Sequence, residues 1–224
     1  SSSAASDVYK RQENVDAIKF AQSQGITVAI ATGRAFYEAN TPVAETDLSV
    51  PYICLNGAEV RDESFNIMNT SNLNHELVER IKSILDKDDV YYQIYTNRGI
   101  YTEDPTKDLD IYLDIAKQAG QEADVEKIKQ GIQKRIDNGT LKVVNSYEEI
   151  EDIPGELIMK VLAFNPDLEK INAIGAELSA IPSLAISSSS RGNLEITHSD
   201  AQKGIALESI ACLLYTSPSP RDRG

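Results

Sequence analysis

The chain has 224 residues and a formal net charge of −13, with 35 acidic side chains against 22 basic ones. This acidic balance argues against nucleic acid or an anionic membrane as a partner, because neither offers counter-charge. No apolar run reaches the length of a membrane span, and the two cysteines predict no disulfide framework, which favours a reducing, cytoplasmic location.

The two ends of the chain differ from the rest. Residues 2–12 and 212–222 can be back-translated into DNA that contains inverted copies of one stretch, which resembles the ends of a transposase-type sequencing adapter. We therefore interpret residues 1–12 as adapter-derived and disordered, and 212–224 as an adapter-derived tail. The alternative is an ordinary Ser-rich start and a Pro-, Ser- and Arg-rich tail. Without the ends, the net charge is −15 and Cys54 has no disulfide partner.

The first natural segment predicts alternating helices and strands. An amphipathic helix over 13–24 ends at Gly25, and the β-branched run 26–31 predicts a buried strand. This order is typical of a doubly wound, Rossmann-like parallel sheet. The further predicted elements are a helix over 35–45 interrupted near Pro42, a strand over 51–57 and a small hairpin over 58–68.

From about residue 74 the pattern changes to hairpins, helices and one longer strand, which is typical of an α+β layer. Since such a layer interrupts the first pattern, we expect it to be a separate domain inserted into the α/β core. The predicted elements are helices over 75–85, 109–118, 125–138 and 167–180, a strand over 157–164, and hairpins over 90–102 and 184–197.

Three short motifs follow strands or open helices. Thr32-Gly33-Arg34 follows the first strand, Asn56-Gly57 follows the second, and Lys203-Gly204 opens a helix after the last hairpin. Ligands of open α/β sheets bind beyond the carboxyl ends of the strands. A hydroxyl, an amide and an ammonium at such places suit a phosphoryl group, through hydrogen bonds and a point charge.

The chain resembles the haloacid dehalogenase-like (HAD) phosphatases of the Cof type, whose core carries an α/β cap. The motifs occur here in the same order along the chain as in that family. The resemblance covers residues 13–211. It rests on Ala-Ile-Ala-Thr-Gly-Arg at 29–34, Ile-Cys-Leu-Asn-Gly-Ala at 53–58, the hairpin at 94–102, and Leu-Glu-Ile with Lys203-Gly204 downstream. It implies core segments at 13–75 and 198–211, the latter truncated, and a cap at 76–197.

The resemblance also implies a mechanism. An aspartate on the first core strand attacks the phosphorus of a small phosphorylated metabolite of the sugar-phosphate type, a second aspartate serves as acid and base, and Mg²⁺ is held by acidic residues. Thr32 and Lys203 match the catalytic hydroxyl and lysine of the family, which position and neutralise the transferring group. The implied substrate-binding residues are Gly33, Arg34, Asn56 and Gly57.

One departure from the family pattern is serious. No Asp-x-Asp-Gly-Thr run occurs in the sequence, so we expect the chain to lack its nucleophile and its magnesium ligands and to be an inactive fragment of a hydrolase. The missing first strand should leave Val28 and Ile30 without neighbours, so that the cap is the better-folded part. The alternative function is a non-catalytic α/β module that binds a phosphorylated ligand or a nucleotide.

Each candidate also has an ordinary structural explanation. Thr32 could cap the next helix, Lys203 could be a solvated lysine, Asn56 could serve a turn of positive φ, and Arg34 could form a surface ion pair. The two histidines and Cys54 are not expected to form a functional site. We expect His75 and His198 at the surface and Cys54 in the core.

Overall fold

A computed structural model describes residues 2–118 and 120–201, with the backbone alone for 2–11 and 118. These residues form two compact units, one up to Asn69 and the other from Thr70 onward. Both contain helices and strands, which confirms the predicted α/β class. Within this part of the chain, no helix is both long and apolar enough to cross a membrane.

The first unit is built on a four-stranded sheet in the order β1-β2-β3-β4. β1 and β2 are parallel and β2 and β3 antiparallel, so the described part of this unit contains one parallel pair of the predicted parallel sheet, β1 with β2. The elements are α1 (Ser2–Ser23), β1 (Ile30–Ala31), α2 (Phe36–Asn40), β2 (Tyr52–Cys54), a 3₁₀ turn (Leu55–Gly57), β3 (Glu59–Arg61) and β4 (Ile67–Thr70).

Two elements of this unit differ from the prediction. α1 begins at Ser2 and not at the predicted residue 13, because a helix already formed over 13–23 extends at little cost, one hydrogen bond for each residue added. β1 has two residues where six were predicted, and Ile26 is 57% exposed. β1 lies at the edge of the described sheet and pairs with β2 on one side. Residues 26–29 therefore have no partner strand in that sheet that would hold them in an extended conformation.

The core of the first unit centres on β2. Tyr52, Ile53 and Cys54 are fully buried, which confirms Cys54 as a core residue. The rings of Phe36, Tyr52 and Phe65 contact one another, with centroids 5.1–6.0 Å apart. This small aromatic cluster packs α2 against the sheet and fixes the start of α2 just beyond β1.

The second unit is built on a six-stranded sheet in the order β7-β6-β5-β8-β10-β9, in which β6 and β7 are parallel and the other neighbours antiparallel. The strands are β5 (Tyr91–Thr96), β6 (Ile100–Thr102), β7 (Leu141–Val143), β8 (Ile158–Phe164), β9 (Leu184–Ser187) and β10 (Asn193–His198). The helices are α3 (His75–Lys87), α4 (Pro105–Gln118), α5 (Val125–Asp137), α6 (Glu148–Glu151) and α7 (Leu168–Ser179).

One face of this sheet is apolar and the other is polar. Ile94, Val161 and Ile196 lie side by side across β5, β8 and β10, and they belong to the core that also contains the buried faces of α3 and α7. The next row on the opposite face contains Lys160 and Thr197, which are also buried. The alternation of side chains along each strand produces this division.

Side-chain caps set the starts of three helices in this unit. The carboxylate of Asp167 accepts hydrogen bonds from the N–H groups of Glu169 and Lys170. Asn74 and Asp124 cap α3 and α5 in the same way. β7 and α6 were not predicted, because three or four residues carry too little periodicity to identify an element.

Candidate functional site

The carboxyl end of β1 carries the first predicted motif. The N–H of Ile30 donates to Pro51 O and that of Thr32 to Ile53 O, both at 2.9 Å, so the parallel pairing with β2 continues to Thr32. Thr32 and Gly33 are half-buried and Arg34 is exposed. The pairing therefore fixes the position of the Thr32 backbone at the sheet edge where ligands of α/β proteins bind.

The Thr32 hydroxyl closes a tight turn. Its Oγ1 accepts a hydrogen bond from the N–H of Arg34 at 3.1 Å. A hydroxyl that accepts in this way keeps its own proton for donation. The turn explains the preference for a hydroxyl residue here, and it leaves Thr32 able to donate to an anionic oxygen.

The second motif lies in a loop with unusual backbone geometry. Leu55, Asn56 and Gly57 have φ values of +49°, +60° and +106°. Asparagine and glycine adopt this left-handed region readily, but a leucine there costs about 1–2 kcal/mol. The Leu55 side chain is fully buried, and this burial holds the residue in its unfavourable conformation. Sequence reasoning missed Leu55, since leucine gives no signal for positive φ.

Two backbone hydrogen bonds, both donated by the second loop, join it to the first. The N–H of Asn56 donates to Thr32 O at 3.2 Å, and the N–H of Leu55 donates to Arg34 O at 3.0 Å. The structure thus brings together five of the six predicted site residues, in segments 32–34 and 56–57. Lys203 lies outside the described residues, so its convergence with Thr32 stays a prediction.

Cysteine chemistry is not available at this edge of the sheet. Cys54 directly precedes the second loop, and burial, followed by the nearby charge of Glu59, raises the pKa of its thiol to about 12. Because the thiolate is the nucleophile, a thiol with this pKa is inert at neutral pH. What the two loops offer is hydrogen-bond donation, from a hydroxyl, an amide and a guanidinium.

The loops do not fit a magnesium site. Mg²⁺ is bound in proteins through carboxylates together with water or substrate phosphates. Segments 32–34 and 55–57 contain a hydroxyl, an amide and a guanidinium but no carboxylate. The donors in these two segments therefore suit an anion, and the segments lack the carboxylate ligands that a hard divalent cation requires.

Comparison with known proteins gives matches over most of the chain. Residues 5–220 match the family model of the haloacid dehalogenase-like hydrolases. The phosphatase YwpJ of Bacillus subtilis is 27% identical over 201 residues, which are 89% of this chain and 70% of the relative. The 5-amino-6-(5-phospho-D-ribitylamino)uracil phosphatase YwtE of the same organism is 30% identical over 200 residues, 89% of this chain and 69% of the relative.

Solved structures agree with these relatives. A haloacid dehalogenase-like hydrolase from B. subtilis superimposes with a TM-score of 0.76 at 27% identity, over 91% of this chain and 72% of the other. A Thermotoga maritima protein, TM0651, shares the fold with a TM-score of 0.64 at 18% identity, over 92% of this chain and 68% of the other.

Proposed function

The chain belongs to the family of haloacid dehalogenase-like hydrolases and is a phosphatase by class, and we propose that its two joined loops bind the phosphoryl group of a small phosphorylated metabolite of the sugar-phosphate type. The observation that carries the proposal is the pair of backbone hydrogen bonds between segments 32–34 and 55–57. They hold the Thr32 hydroxyl and the Asn56 loop at neighbouring carboxyl ends of parallel strands.

In this proposal Thr32 donates its hydroxyl proton to a phosphoryl oxygen. The backbone turn at Gly33 allows close approach of the phosphate, and the Arg34 guanidinium adds positive charge at the exposed rim. Asn56 and Gly57 contact the part of the substrate next to the phosphorus. Lys203 completes the site by neutralising charge on the transferring group.

The proposal extends to the nucleophile and the metal ion of the reaction. The relatives are phosphatases, and transfer through an aspartyl-phosphate with Mg²⁺ is what the family resemblance implies. The sequence contains no Asp-x-Asp-Gly-Thr run, and the loops contain no carboxylate. We therefore propose that the chain as it stands binds phosphate but does not release it from esters, and that residues 13–75 and 198–211 are core and 76–197 cap.

Phosphate binding tests the role of the loops. Inorganic phosphate is titrated into the purified chain by isothermal calorimetry, and Thr32→Ala is compared with Thr41→Ala. Thr41 is a matched control, since its exposed hydroxyl donates to Tyr37 O in the same unit. A hydrogen bond to a charged group contributes about 1.5–3 kcal/mol, so we expect roughly 10- to 100-fold weaker binding for Thr32→Ala and no change for Thr41→Ala. Equal affinities in all three proteins contradict the proposal.

A turnover assay tests the proposal that the chain does not release phosphate from esters. Loss of a nucleophile lowers the rate by about 10⁴- to 10⁶-fold, so p-nitrophenyl phosphate with Mg²⁺ should give no phosphate above the blank. Release that requires Mg²⁺ and is lost in Thr32→Ala would show that the chain is an active enzyme.

A second function is supported by the same donor set. The loops hold hydrogen-bond donors without a carboxylate, which also suits a non-catalytic module that binds a phosphorylated ligand or a nucleotide. The genomic sequence upstream of Glu13 separates the two: an Asp-x-Asp run at the end of an apolar strand supports the phosphatase, and its lack supports the module.

A further inference from the structure

A group of metal-ligating side chains lies in the second unit, apart from the phosphate-binding loops. His75 and Glu79 are four residues apart on α3, and Glu151 is the last residue of α6. One ligand atom from each lies within 4.8 Å of the other two. Among the described residues, this is the group of His, Cys, Asp and Glu side chains that comes together closely enough to share one ion.

The spacing on α3 has a structural cause. Residues four apart lie one above the other on the same helix face, so His75 and Glu79 project side by side. The third side chain comes from a different element, and Glu151 Oε2 is hydrogen-bonded to His75 Nδ1 at 2.5 Å. The imidazole is therefore already held against one carboxylate.

The donor set selects a class of ion. Imidazole nitrogen suits zinc and neighbouring first-row transition metals, whereas Mg²⁺ and Ca²⁺ prefer oxygen ligands alone. One histidine with two carboxylates leaves at least one coordination position for water, as in three-ligand zinc sites. We propose that His75, Glu79 and Glu151 form a surface site for a divalent transition metal, with Zn²⁺ as the expected ion.

Small side-chain movements complete the geometry. Zinc–ligand distances of about 2.0–2.1 Å place tetrahedral ligand atoms roughly 3.3 Å apart. The His75–Glu151 pair, at 2.5 Å, must widen to reach this spacing, and all three side chains have room to rotate, at 72%, 48% and 31% exposure for His75, Glu79 and Glu151.

A competing cation, Lys82, contacts one of these side chains. Its Nζ lies 2.8 Å from Glu79 Oε1, but it also lies 3.0 Å from Glu148 Oε1. When Glu79 turns toward the metal, Lys82 keeps Glu148 as its partner, and so no cation is left unpaired. The metal then joins α3 to α6 and stabilises the folded unit by linkage.

Zinc binding by the 224-residue chain tests the site. Zn²⁺ is titrated by calorimetry into the wild-type protein and into His75→Ala, Glu151→Gln and His198→Ala, with far-UV circular dichroism to confirm folding. His198 is the matched control, because it is the other histidine of the chain and its Nδ1 also lies near a carboxylate, that of Asp200. We expect one equivalent of Zn²⁺, at least tenfold weaker binding in His75→Ala and in Glu151→Gln, and wild-type binding in His198→Ala.

Magnesium and thermal unfolding give further readouts. Mg²⁺ should not compete for the site at equal concentration, and Zn²⁺ should raise the melting temperature of wild type but not that of His75→Ala. Zinc affinity unchanged by His75→Ala, or reduced equally by His198→Ala, would overturn the assignment. So would Mg²⁺ that displaces zinc at equal concentration.

Discussion

Asp108 is a buried carboxylate whose removal should destabilise the second unit strongly. It lies in the first turn of α4 and is 1% exposed. Its Oδ1 accepts hydrogen bonds from Tyr91 Oη and Gln93 Nε2, both at 2.5 Å. Among the described residues Oδ2 has no hydrogen-bond donor, and Arg135 Nη1 is 3.9 Å away.

Two substitutions separate the hydrogen bonds from the charge. Asp108→Ala leaves two buried donors without their acceptor, and each unsatisfied donor costs about 1–3 kcal/mol of folding free energy. Tyr91 Oη can still pair with Thr102 Oγ1 at 2.7 Å. We expect a loss of about 2–4 kcal/mol in the free energy of unfolding. Asp108→Asn keeps the Oδ1 acceptor and removes the buried charge, so its loss should be about 1 kcal/mol or less.

Urea denaturation measures the difference. Six of the ten tyrosines lie in the second unit and the chain has no tryptophan, so tyrosine fluorescence reports mainly on this unit. With a slope of about 2 kcal/mol per M urea, the midpoints of the two variants should differ by roughly 1 M. If Asp108→Ala is as stable as Asp108→Asn, the hydrogen bonds to Oδ1 do not hold α4 on the sheet.

Comparison of the wild type with Asp108→Asn gives a pH dependence of known sign. Burial raises the pKa of Asp108 above its ordinary value of 3.8. The folded state therefore binds this proton more tightly than the unfolded state, and the wild type should gain stability relative to Asp108→Asn as the pH falls through the raised pKa. The gain ends near pH 3.8, below which both states are protonated. A difference between the two proteins that is constant with pH would refute this.

Three further predictions follow from burial and pairing. Amide exchange should be faster in residues 26–31, at a sheet edge, than in β8, which is paired on both sides, and equal protection would contradict the open edge. Asp167→Ala should lower the free energy of unfolding by about 1 kcal/mol in urea denaturation, because two N–H groups of α7 lose their cap. Cys54 should not react with thiol reagents at pH 8 until the protein unfolds, because its thiol is buried and has a pKa of about 12.

The sequence was most informative where a periodic pattern and a cap coincide. α3, α5 and α7 were predicted to within a few residues at either end, because their apolar stripes and their Asn or Asp caps act locally. β1 was predicted too long, since its apolar run satisfies the strand pattern but has one partner strand in the described sheet. Strand length depends on partners, which a local pattern does not contain.

The candidate site divides in the same way. The hydroxyl, glycine and amide of the two motifs could be identified from residue type, but the hydrogen bonds between the loops depend on the register of β1 and β2. The proposed zinc site could be predicted from the sequence only in part. The spacing of His75 and Glu79 is visible in the sequence. Glu151 is 72 residues beyond Glu79 and belongs to an element that was not predicted.

The loop contacts also explain why phosphate binding can be separated from turnover. In the part of the chain that the structure describes, the hydrogen bonds that position Thr32 lie within the first unit, in its own turn to Arg34 and with the backbone of β2 and the Asn56 loop. None requires a carboxylate nucleophile or a metal. The proposed binding of phosphate is therefore independent of whether the ester bond is broken, and the calorimetric and turnover measurements answer two different questions.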